Sequence, residues 1–158
     1  MNKGIKLFIG IVSVGPILFL LGLALSLFIY VEIPTPLVHS MIAVNILIGV
    51  GAFLVLAGTL LAFLAQRVSR IVSRPDVKAT CPDLMMGPYK YSRHAGSLAL
   101  MIMYIGFMLI TNSFVLLFFA IAFVLLITFI FAPMEERVIG ELCPEAYSEY
   151  RTKVRMWF

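Results

Sequence analysis

The chain has 158 residues, 62% of them hydrophobic and 13% charged, with a net charge of +4 and a mean hydropathy of +1.06. Soluble domains are about half apolar and about one quarter charged, so the composition excludes an ordinary water-soluble fold and indicates an integral membrane protein. Long continuous apolar runs exclude a barrel, whose strands alternate in hydropathy. In lipid, helices are then the way to satisfy every backbone donor and acceptor. The expected class is all-α, a single membrane domain over 1–158.

A span needs about 20 apolar residues. Leu7 to Val31 carry no charge, which predicts a first helix over about 6–31. Lys3, Lys6 and the small-residue stretch Ala24-Leu25-Ser26 also resemble a secretory signal. The run is longer than an h-region of about 7–15 residues, so a retained helix is expected. His39 to Gln66 contain no Asp, Glu, Lys or Arg and predict a second helix over 39–66. Gly51, Gly58 and Ala65 recur every seven residues on it. Small residues at that spacing permit close helix approach, either within the chain or in a homodimer through the Gly51/Gly58 face.

Residues 67–94 form a basic loop, in which Pro75 breaks the helical continuation and Pro82, Gly87 and Pro88 mark turns. Ala95 to Met134 then carry no charge. Thr111-Asn112-Ser113 interrupts this run with turn-forming residues. It therefore reads as a helical hairpin, 95–111 and 114–133, giving four transmembrane helices in all. Pro133 is expected to end or kink the fourth. In the tail 134–158, Tyr147, Tyr150, Val154 and Trp157 are spaced three, four and three. That stripe suits a cytoplasmic or interfacial C-terminal helix, with Glu149 and Lys153 as an i, i+4 pair.

All 12 Lys and Arg fall near the start of the chain, between Arg67 and Arg93, or between Arg137 and Arg155. With four spans these places share one side. The positive-inside rule makes that side cytoplasmic, together with both termini. The basic balance then implies contact with anionic membrane lipid rather than nucleic acid. Cys81 and Cys143 fall in expected cytoplasmic segments, where thiols stay reduced. Their isolation gives no metal-ligand spacing, and no metal is expected.

Chemistry is sought where polar groups meet the membrane edge. Arg93 and His94 stand at the start of the third helix, where unpaired peptide donors make an electropositive rim. Arg93 suits a carboxylate or phosphate, and His94 is able to donate, accept or titrate. The plain alternative is that Arg93 snorkels and His94 caps a helix. Glu135 and Glu136 follow Pro133 at once. Adjacent carboxylates at the expected C-terminus of a buried helix repel each other and sit at the wrong end of its dipole. They require a cation: Arg137, Arg93 across the fold, or a cationic ligand.

Together these segments resemble one family. "GPYKYSRHAGS" (Gly87 to Ser97), an apolar hairpin, and "EERVIGELCPEAYSEYRTKVRMW" (Glu135 to Trp157) are similar to isoprenylcysteine carboxyl methyltransferases, with phosphatidylethanolamine N-methyltransferases as more distant kin. The likeness covers about 87–157. It implies an integral-membrane enzyme using S-adenosylmethionine on a hydrophobic or lipid-linked acceptor that enters from the bilayer. It also implies that Tyr89, Arg93, His94, Glu135, Glu136 and Tyr147 bind the cofactor. Tyr147, Tyr150 and Arg151 would close the pocket or face the substrate, and Arg93, His94 and Arg151 would be the catalytic set. The chain departs from the family pattern at Ala95, where Pro is usual, at Ser97, where Tyr is usual, at Ala99 and at Cys143-Pro144. Rival readings are an NADPH-dependent membrane reductase of related build, or a non-catalytic membrane scaffold.

Overall fold

The computed structural model describes residues 3–32, 36–72 and 85–157. The middle of the expected basic loop, with Pro75, Cys81 and Pro82, lies outside the described residues. The described elements are helical. α1 is Lys3–Glu32 and α2 is Met41–Val72. A short 3₁₀ turn, Gly87–Lys90, precedes α3, Ala95–Thr111. α4 is Phe114–Leu126, and a π turn over Ile127–Phe131 leads directly into α5, Ala132–Leu142. α6 is Pro144–Lys153. One isolated antiparallel bridge joins Pro36 to Ser113.

Two described helical stretches are long and apolar enough to cross a membrane, Met41–Val68 and Phe114–Glu141. Pro16–Val31 and Ala95–Thr111 are shorter apolar helices. The outward faces fit a lipid surround. Phe53, Leu56, Phe118 and Phe129 are each about 70% exposed.

α2 runs six residues beyond the expected Gln66. No Gly or Pro interrupts 67–72, and the Arg67 guanidinium lies 4.4 Å from the Phe63 ring centroid. That cation–π contact covers a ring on the previous turn and keeps the charged side chain on the helix.

α2 and α3 pack backbone to backbone. A Cβ on Gly51 would come within 2.7 Å of the Gly106 carbonyl oxygen, one on Gly106 within 2.8 Å of the Gly51 carbonyl oxygen, and one on Gly58 within 2.9 Å of the Ala99 carbonyl oxygen. The Gly51/Gly58 face is therefore filled by α3 of the same chain, which leaves no room there for a second copy. The expected small-residue seam exists, and it works inside the monomer.

The turn between α3 and α4 forms at the polar triplet. Asn112 takes the left-handed conformation, φ 49°, and Ser113 caps α4 by accepting from Leu116 N–H at 3.3 Å. The Asn112 side chain also clasps the α1–α2 connection. Its amide donates to Val38 O at 2.7 Å, and its oxygen accepts from Val38 N–H at 3.0 Å. At the other end of the hairpin the polar cluster assembles.

Between these ends lies an aromatic core. Phe19 meets Tyr104 edge-on at 5.5 Å between centroids, and Tyr104 stacks on Phe123 at 5.2 Å. Such pairs contribute about 0.5–1.5 kcal/mol beyond area burial. Beside them is an apolar cavity of about 230 Å³ between α1, α3 and α4, lined by Leu18, Gly22, Leu25, Tyr104, Phe119 and Phe123 among others.

Candidate functional site

The stretch leading into α3 is shaped by Gly87. Its φ of +55° suits glycine, and a Cβ there would press within 2.9 Å of a Val68 methyl on α2. The chain then makes one 3₁₀ turn, with Tyr91 and Ser92 N–H donating to Pro88 O. The C-terminal segment ties this stretch down. Tyr150 Oη donates to Tyr89 O at 2.7 Å. Arg93 N–H donates to Arg155 O at 3.1 Å. Ser92 Oγ donates to Met156 O at 3.1 Å and faces His94 N–H at 3.4 Å. Arg93 and His94 are thereby fixed at the first turn of α3.

α5 brings the two carboxylates to them. His94 Nδ1 lies 2.8 Å from Glu135 Oε2, and His94 Nε2 lies 3.2 Å from Glu136 Oε1. Arg93 Nη1 reaches the same Glu136 oxygen at 2.9 Å. The His94 side chain is 1% exposed, and those of Arg93, Glu135 and Glu136 are 11%, 18% and 17% exposed. An ionised carboxylate accepts only, so a ring bridging two of them would donate from both nitrogens, and this geometry favours the imidazolium form. Burial draws the His94 pKa down. Hydrogen bonds and charge attraction from Glu135, then Glu136, outweigh burial, and the net shift is upward. In the imidazolium form His94 and Arg93 would balance the two carboxylates.

Aromatic residues enclose this cluster. The Trp157 ring centroid lies 5.5 Å from that of His94. Tyr147 Oη accepts from Arg93 Nη1 at a long 3.5 Å. Burial, with Glu136 next, pushes the Tyr147 phenol up to about 12, against a smaller opposing pull from Arg93. Tyr89 is raised by burial and then by Glu135. Tyr150 is raised mainly by burial, with Arg93 opposing. All three therefore remain protonated at neutral pH. Arg93 Nε is buried and has no hydrogen-bond partner. A buried unanswered donor is costly.

The structure brings together Arg93, His94, Glu135, Glu136 and Tyr147, and sets Tyr89 beside them with its hydroxyl over Gly96. Arg151 stands exposed on α6, outside the cluster. The cations that answer the glutamate pair are Arg93 and His94, whereas Arg137 pairs with Glu141 on an exposed face. The pair also does not sit at a helix C-terminus: the π turn carries the chain through Pro133, and Glu135 lies in the first turn of α5. Cys143, at the α5–α6 junction, is disulfide-bonded, which corrects the expectation of a reduced thiol there. Cys81 lies outside the described residues. Trp157, the last member of the expected stripe, joins the site beside His94, and so does Ser92, which no spacing signal announced. Comparison of the chain with protein families, with curated proteins and with solved structures finds no match.

Proposed function

We propose that the chain is an S-adenosylmethionine-dependent integral-membrane methyltransferase of the isoprenylcysteine carboxyl methyltransferase type. On this reading four helices span the bilayer, the two ends of the chain are cytoplasmic, and the cluster lies where cytosol meets lipid. The observation that carries the reading is the buried Arg93 Nε without a partner, beside two carboxylates and a wall of tyrosine and tryptophan. S-adenosylmethionine, when bound, supplies an electrophilic methyl group on a sulfonium.

The residues present fit such a molecule. Arg93 suits its carboxylate. Glu135 or Glu136 suits its ammonium or ribose, and the faces of Tyr147, Tyr150 and Trp157 suit the sulfonium charge. His94, held as an imidazolium between two carboxylates, is poorly placed to act as a base. That favours an acceptor needing no deprotonation near neutral pH, a carboxylate rather than an amine. The apolar cavity between α1, α3 and α4 is suited to part of the acceptor's hydrocarbon.

One observation favours a second reading. Both carboxylates are already answered inside the chain, as in a structural ion knot of a non-catalytic scaffold. Calorimetry with S-adenosylmethionine on detergent-purified protein separates the two. Saturable binding is expected, weakened at least about tenfold in Arg93→Lys, which keeps the charge but loses the guanidinium fork. A folded wild type that binds no S-adenosylmethionine sinks the methyltransferase reading, and binding of NADPH in its place points to the reductase.

A further inference from the structure

Along α4 and into the first residue of the π turn the buried positions are Leu116, Ala120, Phe123 and Ile127. Their steps of four, three and four are those of one face of a regular α-helix. Continued regularly, the stripe would next bury 130 or 131, and then 134. Instead Ile130 and Met134 are 52% and 45% exposed, Phe131 is only half-buried, and Ala132 is 1% exposed. The step from Ile127 to Ala132 is five residues, and Ala132 N–H donates to Ile127 O, the i→i+5 bond of a π turn. The inward face then resumes with Glu135, Glu136 and buried Val138.

One extra residue in a turn advances every later side chain by about 100° around the axis. Without it Met134 would occupy the direction now held by Glu135, Glu135 that of Glu136, and Glu136 that of exposed Arg137. A regular helix would thus present His94 with one carboxylate and a methionine. Pro133 accounts for the placement of the irregular turn. It has no N–H to give an α ladder, and in that ladder its ring would strike the Phe129 carbonyl.

We infer that the π turn before Pro133 aims both carboxylates at His94, and that Pro133 is a positioning residue for the cluster. The inference rests on burial and hydrogen bonding, and holds whether or not a methyl donor binds.

The test follows His94 by NMR in detergent micelles, in a His39→Gln background that leaves one histidine. Two variants are compared, Pro133→Ala and Pro133→Ala with Ile130 deleted. The first allows a regular helix that swings one carboxylate away. The second allows a regular helix that keeps both phases. Expected are a titration midpoint lowered by about one pH unit in Pro133→Ala and a return to the parent value in the deletion variant. If Pro133→Ala unfolds while the deletion variant folds and titrates like the parent, phase is again the cause. An unchanged midpoint in Pro133→Ala overturns the inference. So does a lowered midpoint or unfolding in the deletion variant, because a regular helix with both phases kept should preserve the cluster.

Discussion

His94 is the residue on which the cluster turns, because it bridges two carboxylates at 2.8 and 3.2 Å. Its folded pKa is raised. Its contribution to stability is therefore fully present below the unfolded value, about 6.5, and is lost as pH rises through the folded value. The thermal midpoint in detergent should fall as pH rises above about 6.5, and His94→Gln should flatten that dependence. The glutamates should not be equal. Glu136 Oε1 receives both Arg93 and His94, whereas Glu135 receives His94. Glu136→Gln should cost about 3 kcal/mol, since it strips a buried cation of its partner, and Glu135→Gln about 1.5 kcal/mol. Urea or thermal melts of the two variants give the comparison. These four ionisable groups were readable from the sequence because charge at the edge of a long apolar run must be answered by opposite charge. Trp157 was not, since its place beside His94 depends on the backbone bonds from Ser92 and Arg93 to the tail.

Among the elements, the hairpin turn and the α2–α3 seam carry separable tests. Asn112 combines a left-handed backbone with two side-chain bonds to Val38. Asn112→Ala should destabilise by about 3 kcal/mol, from two unmet backbone groups and left-handed strain on a residue with a Cβ. Asn112→Gly should recover the strain portion alone. In the seam, a Cβ on Gly106 would meet Gly51 O, Val55 N and a Val55 methyl at 2.7–2.9 Å. Backbone atoms do not yield cheaply, so Gly106→Ala should cost about 2 kcal/mol. Gly49, with nothing near its would-be Cβ, should accept Ala at no cost or gain up to about 1 kcal/mol. Melting both variants side by side checks the contrast. The turn triplet and the glycine spacing were visible in the sequence because turn chemistry and small-residue packing are local signals. The passage of α4 into α5 was not. Pro133 reads as a stop or a kink, and a π turn that accommodates it leaves no mark until the burial of Ile127 and Ala132 is known.

For the whole molecule, charge and redox chemistry pull in opposite directions. On the proposed four-span reading, the distribution of all 12 Lys and Arg would put the two ends of the chain and the α5–α6 junction in the cytoplasm. Cys143 at that junction is disulfide-bonded, and disulfides persist mainly in oxidising compartments. On the proposed reading the charge argument governs insertion, because basic residues set orientation while spans enter the membrane, before the chain folds. The α3 helix is 17 residues, or about 26 Å at 1.5 Å per residue, and on the proposed reading it would span most of a hydrocarbon layer of about 30 Å. On that reading the turn at Thr111–Ser113 would lie near the far interface, with no basic residue to cross. Compartment-sensitive reporters fused before Met1, within 73–84 and after Phe158 should therefore all report cytoplasm, and a tag at Ser113 the opposite side. If the three basic sites report the outside, the positive-inside reading fails, Cys143 lies in an oxidising space, and a site fed with S-adenosylmethionine from the cytosol is ruled out with it.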